Sequence, residues 1–272
     1  MCLLVLAWRC HAKWPLVIAA NRDEYHDRPT AALAPWPGNA NRLAGRDLRA
    51  GGTWLAVDSA GRFAALTNFR ELAPPRPTAP TRGAIAAQFL DGNLGAADFL
   101  ATLEDDAPGY AGFNLLVGDG ASLYYASNRR EPFAVQLQPG VYGLSNHLLD
   151  TPWPKVERSR SALGMLLRNG EPKAGAVFEI LADRHSPGPA TDLPAGIDPG
   201  LARELNAVFV THPRYGTRSS TLVTYRDSNA ARVVERSFDA SGHRLLDCEY
   251  QLNDGRWTCA DGDGTRDRAA CS

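Results

Sequence analysis

Short apolar runs, broken by glycine, proline and charge, set the pattern of this chain. Residues 3–8 form the first run and residues 16–20 the second, with a turn around Trp14-Pro15 between them. Runs this short, bounded by turn residues, predict β-strands. The two make a hairpin whose return strand ends on Asn21-Arg22-Asp23-Glu24, carrying an arginine and two acids back beside Cys2. Residues 25–48 are rich in Pro, Gly, Asn and Arg, with a turn signal at Pro37-Gly38-Asn39. They read as a long loop that walls a cleft. A second hairpin covers 51–70, turns at Ser59-Ala60-Gly61, and ends its second strand on Thr67-Asn68. A Pro-rich linker over 73–80 leads to helices over 81–90 and 96–103, where Ala, Phe and Leu recur at helical spacing.

Further hairpins are expected over 113–126, turning at Gly118-Asp119-Gly120, and over 135–144, turning at Gln138-Pro139-Gly140. Residues 154–167 have Pro at the first helical position and Gly170 past the end, and 174–183 predicts another helix. Residues 185–200 read as a loop, 206–211 as a buried strand and 212–219 as a turn. The last clear strands are 220–225 and 231–238. Asp, Gly and Arg then dominate, which predicts a frayed tail over 255–272 behind a single domain over 1–254. Strands come in hairpins with helical pairs between them and no βα alternation. The fold class is therefore α+β with antiparallel sheets. Helices covering both outer faces of two stacked sheets would complete a four-layer αββα sandwich.

Composition narrows the function more than the fold. The chain has 29 basic and 30 acidic residues, a balance that implies no nucleic-acid or anionic-membrane surface. No apolar run approaches the roughly 20 residues that span a bilayer. Residues 3–8 lack the basic flank and cleavage site of a signal peptide. A soluble, cytoplasmic protein is expected. The five cysteines, Cys2, Cys10, Cys248, Cys259 and Cys271, show neither a disulfide framework nor a C-x-x-C metal spacing. No H-E-x-x-H or clustered carboxylate marks a metal, and no Lys-Ser/Thr follows Gly51-Gly52 as in a phosphate loop.

Cys2 carries the sharper chemistry. Removal of Met1, which aminopeptidases perform before a small residue, leaves an α-amine and a thiol on one residue. Their ordinary pKa values, about 7.7–8.0 and about 8.5, let the amine act as base for the thiol near neutral pH. A nearby arginine would favour the thiolate. Taken alone, a second-position cysteine is more simply a small hydrophobe at a strand start.

Met1-Cys2, Asn21-Arg22-Asp23-Glu24, Gly51-Gly52-Thr53-Trp54-Leu55-Ala56, Thr67-Asn68-Phe69-Arg70, Gly143-Leu144-Ser145-Asn146 and Tyr215-Gly216-Thr217-Arg218-Ser219-Ser220 occur in that order. Together they resemble the NRDE family, also called the transport-and-Golgi-organisation protein 2 family. That resemblance implies an N-terminal-nucleophile hydrolase-like sandwich, more distantly similar to the bile-salt hydrolase and penicillin V acylase group. It places Cys2, Asn68, Asn146 and Arg218 where those acylases carry their site residues. The acylases separate their Arg and Asp by two residues, whereas Arg22 and Asp23 are adjacent. Alternation then lets only one of them face Cys2 unless the strand bulges or ends there.

Two functions follow from the resemblance. In the first, Cys2 attacks a small acyl amide or thioester, and no cofactor is required. Asn68 and Asn146 donate to the oxyanion, Arg22 and Arg218 lower the thiol pKa or hold a carboxylate, and Asp23 orients the α-ammonium. In the second, the same cleft belongs to a non-catalytic trafficking protein for haem, acyl-CoA or lipid. Arg22, Arg46 and Arg218 would pair with the ligand's acids, and Trp36 or Trp54 would line its apolar wall. Asn21, Glu24, Arg46, Trp54, His147 and His212 are the candidates for touching such a ligand. The histidines are the first to test for haem because each adjoins a matched motif.

Overall fold

The structure, a computed structural model, describes residues 2–72, 78–190, 193, 196–227 and 230–260. The chain opens with β1 (Cys2–Trp8) and β2 (Leu16–Tyr25), then β3 (Thr30–Trp36), β4 (Asn39–Asp47), β5 (Leu55–Asp58) and β6 (Phe63–Asn68). Helices α1 (Gly83–Asp91) and α2 (Ala96–Asp106) precede β7 (Phe113–Gly118), β8 (Leu123–Ser127), β9 (Ala134–Gln136) and β10 (Gly140–Leu144). Next come α3 (Pro154–Arg168), α4 (Ala174–Leu181) and α5 (Pro199–Glu204). The last strands are β11 (Thr211–His212), β12 (Tyr215–Asp227), β13 (Ala230–Phe238), β14 (Arg244–Asn253) and β15 (Arg256–Cys259).

Two antiparallel sheets result. One runs β10-β1-β2-β12-β13-β14-β15 with β11 beside β12, and the other runs β3-β4-β5-β6-β7-β8-β9. In β1 and β2, Leu4, Leu6, Trp8, Leu16, Ile18 and Ala20 pack against the second sheet through Leu33, Leu43, Val57, Phe63 and Leu116. The alternate residues, Val5, Ala7, Val17 and Ala19, pack on Leu163 and Leu167 of α3 and on Val177 and Leu181 of α4. Burial on both faces explains why these strands read as continuous apolar runs. Across the molecule, Ala56, Ala64, Leu115 and Val117 of the second sheet pack on Ile85 and Phe89 of α1 and Leu100 of α2. The expected αββα layering is therefore observed.

Several expectations change. The supposed loop over 25–48 holds the β3–β4 hairpin, which turns at Gly38 with φ 80°. Its strands are irregular in register and carry Arg42 and Arg46 stacked on Trp36, so no clean apolar alternation marks them. The supposed hairpin over 135–144 does not form: β9 pairs with β8 in one sheet and β10 with β1 in the other. The turn at Gln138-Pro139 is the crossing between sheets. Residues 206–210 are buried but irregular, because Phe209 N donates to Asp183 O and Val210 N to Thr217 Oγ1 rather than to a ladder. The segment expected to turn over 212–219 is already strand from Tyr215. Arg256–Cys259, expected in a frayed tail, is instead a strand paired with β14. Residues 261–272 of that tail, 73–77 of the linker and part of the 185–200 loop lie outside the described residues.

Two glycines fix the approach of α1 and Trp54. A Cβ on Gly52 would lie 2.4 Å from the Gly83 backbone carbon at the start of α1, and one on Gly45 would lie 2.4 Å from the Trp54 ring. The first contact is backbone on backbone, so no side-chain rotation relieves it. Gly52→Ala is expected to lower stability by about 1–3 kcal/mol, as overpacking does. Urea denaturation checks this, and an unchanged midpoint would contradict the close packing.

Candidate active site

Strand pairing sets Cys2 directly opposite Arg22. Cross-strand partners project to one side of a sheet, so Arg22 and Glu24 share the face of Cys2, and Asn21 and Asp23 take the other. On the first face lies a cleft of about 430 Å³, lined by Cys2, Arg22, Glu24, Trp54, Asn68 and Arg82 among others. The Arg22 guanidinium lies 4.2 Å from the Trp54 ring centroid, and its Nη1 donates to Thr30 Oγ1 at 2.9 Å. Glu24 is 4.0 Å from the same guanidinium. Trp54 reaches this position because Gly45 leaves room beneath its ring.

On the opposite face Asp23 is buried, and Thr217 Oγ1 donates to its Oδ1 at 2.7 Å. Thr217 itself accepts from Val210 N at 2.9 Å. Burial raises the Asp23 pKa, while the positive amino terminus, Lys155, the Thr217 bond and Arg22 oppose that rise. Asp23 and Arg22 thus divide by face. The first meets Thr217 and the field of Lys155, and the second shares the thiol's side.

Asn146 joins the two sheets at this point. Its Oδ1 accepts from Cys2 N at 3.2 Å, and its Nδ2 donates to Asn68 O at 2.7 Å. Both bonds together fix which way the amide points. One of the two Asn146 amide hydrogens is thus used on Asn68 O, which leaves the second for the oxyanion role expected of it. Ser145 Oγ donates to Cys2 O at 2.8 Å, and Thr67 Oγ1 donates to Ser145 O at 2.7 Å. Asn68 differs: it is exposed in the cleft, and its side-chain amide is unpaired among the described residues.

Other expected residues lie elsewhere. Arg218 sits where the β2–β12 register shifts between Thr217 and Ser219. The bulge turns it out of the ladder, and its Nη1 donates to the carbonyls of Tyr25, His26 and Arg28. It borders a separate cavity of about 230 Å³ on the other side of Trp54, not the Cys2 cleft. Asn21 is a buried clamp: its Nδ2 donates to Leu181 O and Val208 O, and its Oδ1 accepts from Ser220. Arg46 and Trp36 stack on each other away from the cleft. His147 bonds Thr151 and packs on Phe69 and Trp153, and His212 bonds Asp198, so neither lines the cleft.

Burial is the largest influence on the Cys2 thiol and raises its pKa. The amino terminus, the Asp23 backbone N–H and Arg22 act against burial, and the Asp23 charge adds to it. Burial thus favours the protonated form of the thiol. Lys155, which the sequence reading passed over, is wholly buried at the start of α3 and donates from Nζ to Leu205 O at 2.9 Å. Burial lowers its pKa to about 8, Asp23 and Cys2 pull it upward, and Arg70 adds to the lowering. Its phase was the available signal, since it lies one helical repeat before the buried Ser159. Arg82, in the linker before α1, was also missed and lines the cleft.

The family profile described as Transport and Golgi organisation 2 matches residues 1–240. The chain is 35% identical over 239 residues to the Transport and Golgi organization protein 2 homolog of Bos taurus, across 82% of this chain and 86% of that one. For the Homo sapiens homolog the identity is 34% over 246 residues, with the same shares covered. Among solved structures, a Caenorhabditis elegans N-acylethanolamine-hydrolyzing acid amidase ortholog aligns with TM-score 0.43 and 10% identity, covering 81% of this chain and 91% of that one. That likeness assigns neither activity nor substrate.

The buried lysine makes a pH-dependent prediction. Its folded pKa of about 8 lies below the ordinary 10.5, so between those values the unfolded chain holds more protons and stability rises with pH. Measured by urea denaturation from pH 7 to 10, wild type is expected to gain on Lys155→Met by up to about 1.4 kcal/mol per pH unit above pH 8. A difference that stays flat over that range would contradict the assignment.

Proposed function

The chain belongs to the Transport and Golgi organisation 2 family, and from its site we propose a cysteine N-terminal-nucleophile hydrolase of small acyl amides or thioesters. The observation that carries the reading is the pair of contacts around Cys2. Its nitrogen meets Asn146 Oδ1 at 3.2 Å, and its side chain lines the same cleft as the unpaired Asn68 amide. Once Met1 is removed, that nitrogen is an α-amine held by an acceptor that leaves its lone pair to the thiol. A thiol whose protonated form burial favours suits a mechanism with its own base.

The steps balance without metal or cofactor. The α-amine takes the thiol proton, and the thiolate sulfur bonds to the substrate carbonyl carbon. Negative charge moves to the carbonyl oxygen, where Asn68 donates. Asp23 and Asn146 Oδ1 stabilise the ammonium. The C–N or C–S bond then breaks, and the ammonium returns its proton to the leaving amine or thiol. Water, deprotonated by the same amine, attacks the thioester, releasing the carboxylic acid and restoring Cys2. Arg22, fixed over Trp54, sets positive charge on the thiolate's side of the sheet.

Haem held by His147 or His212 does not fit this cleft, because neither histidine lines it. A panel of acyl p-nitroanilides and acyl thioesters tests the hydrolase. Cys2→Ala is expected to abolish turnover while still binding substrate, and Asn68→Ala to lower kcat by about 10²–10³, the usual loss for an oxyanion donor. Full function of Cys2→Ala, with loss on changing Arg22, would instead identify a ligand carrier.

A further inference from the structure

The charges around the cleft do not pair off completely. Glu24 lies 4.0 Å from Arg22 and 3.8 Å from Arg28, and Asp47 pairs with Arg28 at 2.7 Å. On the far face Asp23 has Lys155 and the amino terminus to balance it. Glu71, the acid whose charge acts most on Arg82, is itself committed to Arg129 and to Gly112 N. Arg82 is left over. It lines the cleft, makes no ion pair among the described residues, and donates from Nη1 to Gly112 O at 2.9 Å. The remaining donors of its guanidinium are not buried without partners, and it lies near enough to Cys2 to feel the thiolate.

The position is built. Gly52 and Gly83 bring the start of α1 against the segment that leads through Trp54 into β5, and Thr53 N donates to Gly83 O at 3.2 Å. Gly52 thus serves to set Arg82, directly before α1, in the lining of the cleft that Arg22 also lines. A half-buried arginine whose guanidinium makes one hydrogen bond among the described residues is a strong site for a carboxylate or phosphate.

We propose that Arg82 anchors an anionic group of the substrate, so that the cleft takes acyl compounds carrying a carboxylate or phosphate. This rests on the cleft being the substrate site. The anion can sit on the acyl side or on the leaving side of the bond. Glutaric acid monoanilide places it on the acyl side and N-butanoyl-β-alanine on the leaving side, and the methyl ester of each is the neutral control.

Binding is measured by calorimetry on the Cys2→Ala protein, which separates recognition from turnover. At least one acid is expected to bind about tenfold or more tightly than its ester, the effect of one charge-assisted hydrogen bond. Which acid does so tells the side of the anion. Arg82→Gln in the same background should erase the preference without changing ester binding, and Arg82→Lys should restore part of it. Equal binding of acids and esters, a preference that survives Arg82→Gln, or no detectable acid binding at millimolar concentration would each overturn the proposal. An Arg82-dependent preference with no turnover of either acid by the Met1-processed wild type would keep the anion site and remove the hydrolase.

Discussion

Alternation of side chains along β2 is the constraint from which the site follows. With Cys2 paired to Arg22, the four residues Asn21 to Glu24 must divide between two faces. Arg22 and Glu24 go to the cleft between the sheets. Asn21 and Asp23 go toward the helical layer, where Asn21 ties the sheet to Leu181 and Val208, and Asp23 meets Thr217 and the field of Lys155. One short stretch thereby places an arginine on the face of the thiol, a buried acid on the other, and an anchor to the layer behind. The adjacency of Arg and Asp has the effect expected from alternation: of the two, only the Arg22 side chain shares the face of Cys2.

The same end of the molecule is where the sheets are tied by polar bonds. Thr67, Asn68 and Arg70 at the end of β6 bond to Ser145 and Asn146 beyond β10, and Ser145 and Asn146 bond Cys2. Buried polar groups must be paired to be tolerated, and here the bonds to Cys2 and Asn68 also fix two residues that line the cleft. Asn146 illustrates this: it holds Cys2 N and Asn68 O together with its carbonyl oxygen and one of its two amide hydrogens. Asn68 makes the bridge through its backbone carbonyl, and its side-chain amide has no partner among the described residues.

Legibility in the sequence tracked the physics of each segment. β1, β2, β5 and β6 were readable because their runs are apolar and their turns carry glycine or proline. The α3 helix was readable from Pro154 and Gly170. The β3–β4 hairpin was not, since it hides arginines stacked on Trp36 where apolar residues would be expected. β14 and β15 were missed because an edge of the sheet is half solvated and carries charge. Local turn signals at Gln138-Pro139 could not tell which sheet each flanking strand would join. Cys2, Arg22, Asp23, Glu24, Trp54 and Asn68, picked from motif and position, come together around one cleft. Lys155 and Arg82 were not, because burial of a lysine and the surplus charge of an arginine depend on neighbours distant in sequence.

The central claim is that Cys2 becomes the amino terminus, so that thiol and base share one residue. The intact mass of the purified protein tests this most directly. The account predicts a mass lacking Met1, with Cys2 unmodified at its amine. A functional protein that retains Met1 would have no free amine beside the thiol, and the amine-assisted chemistry proposed for this cleft would be contradicted.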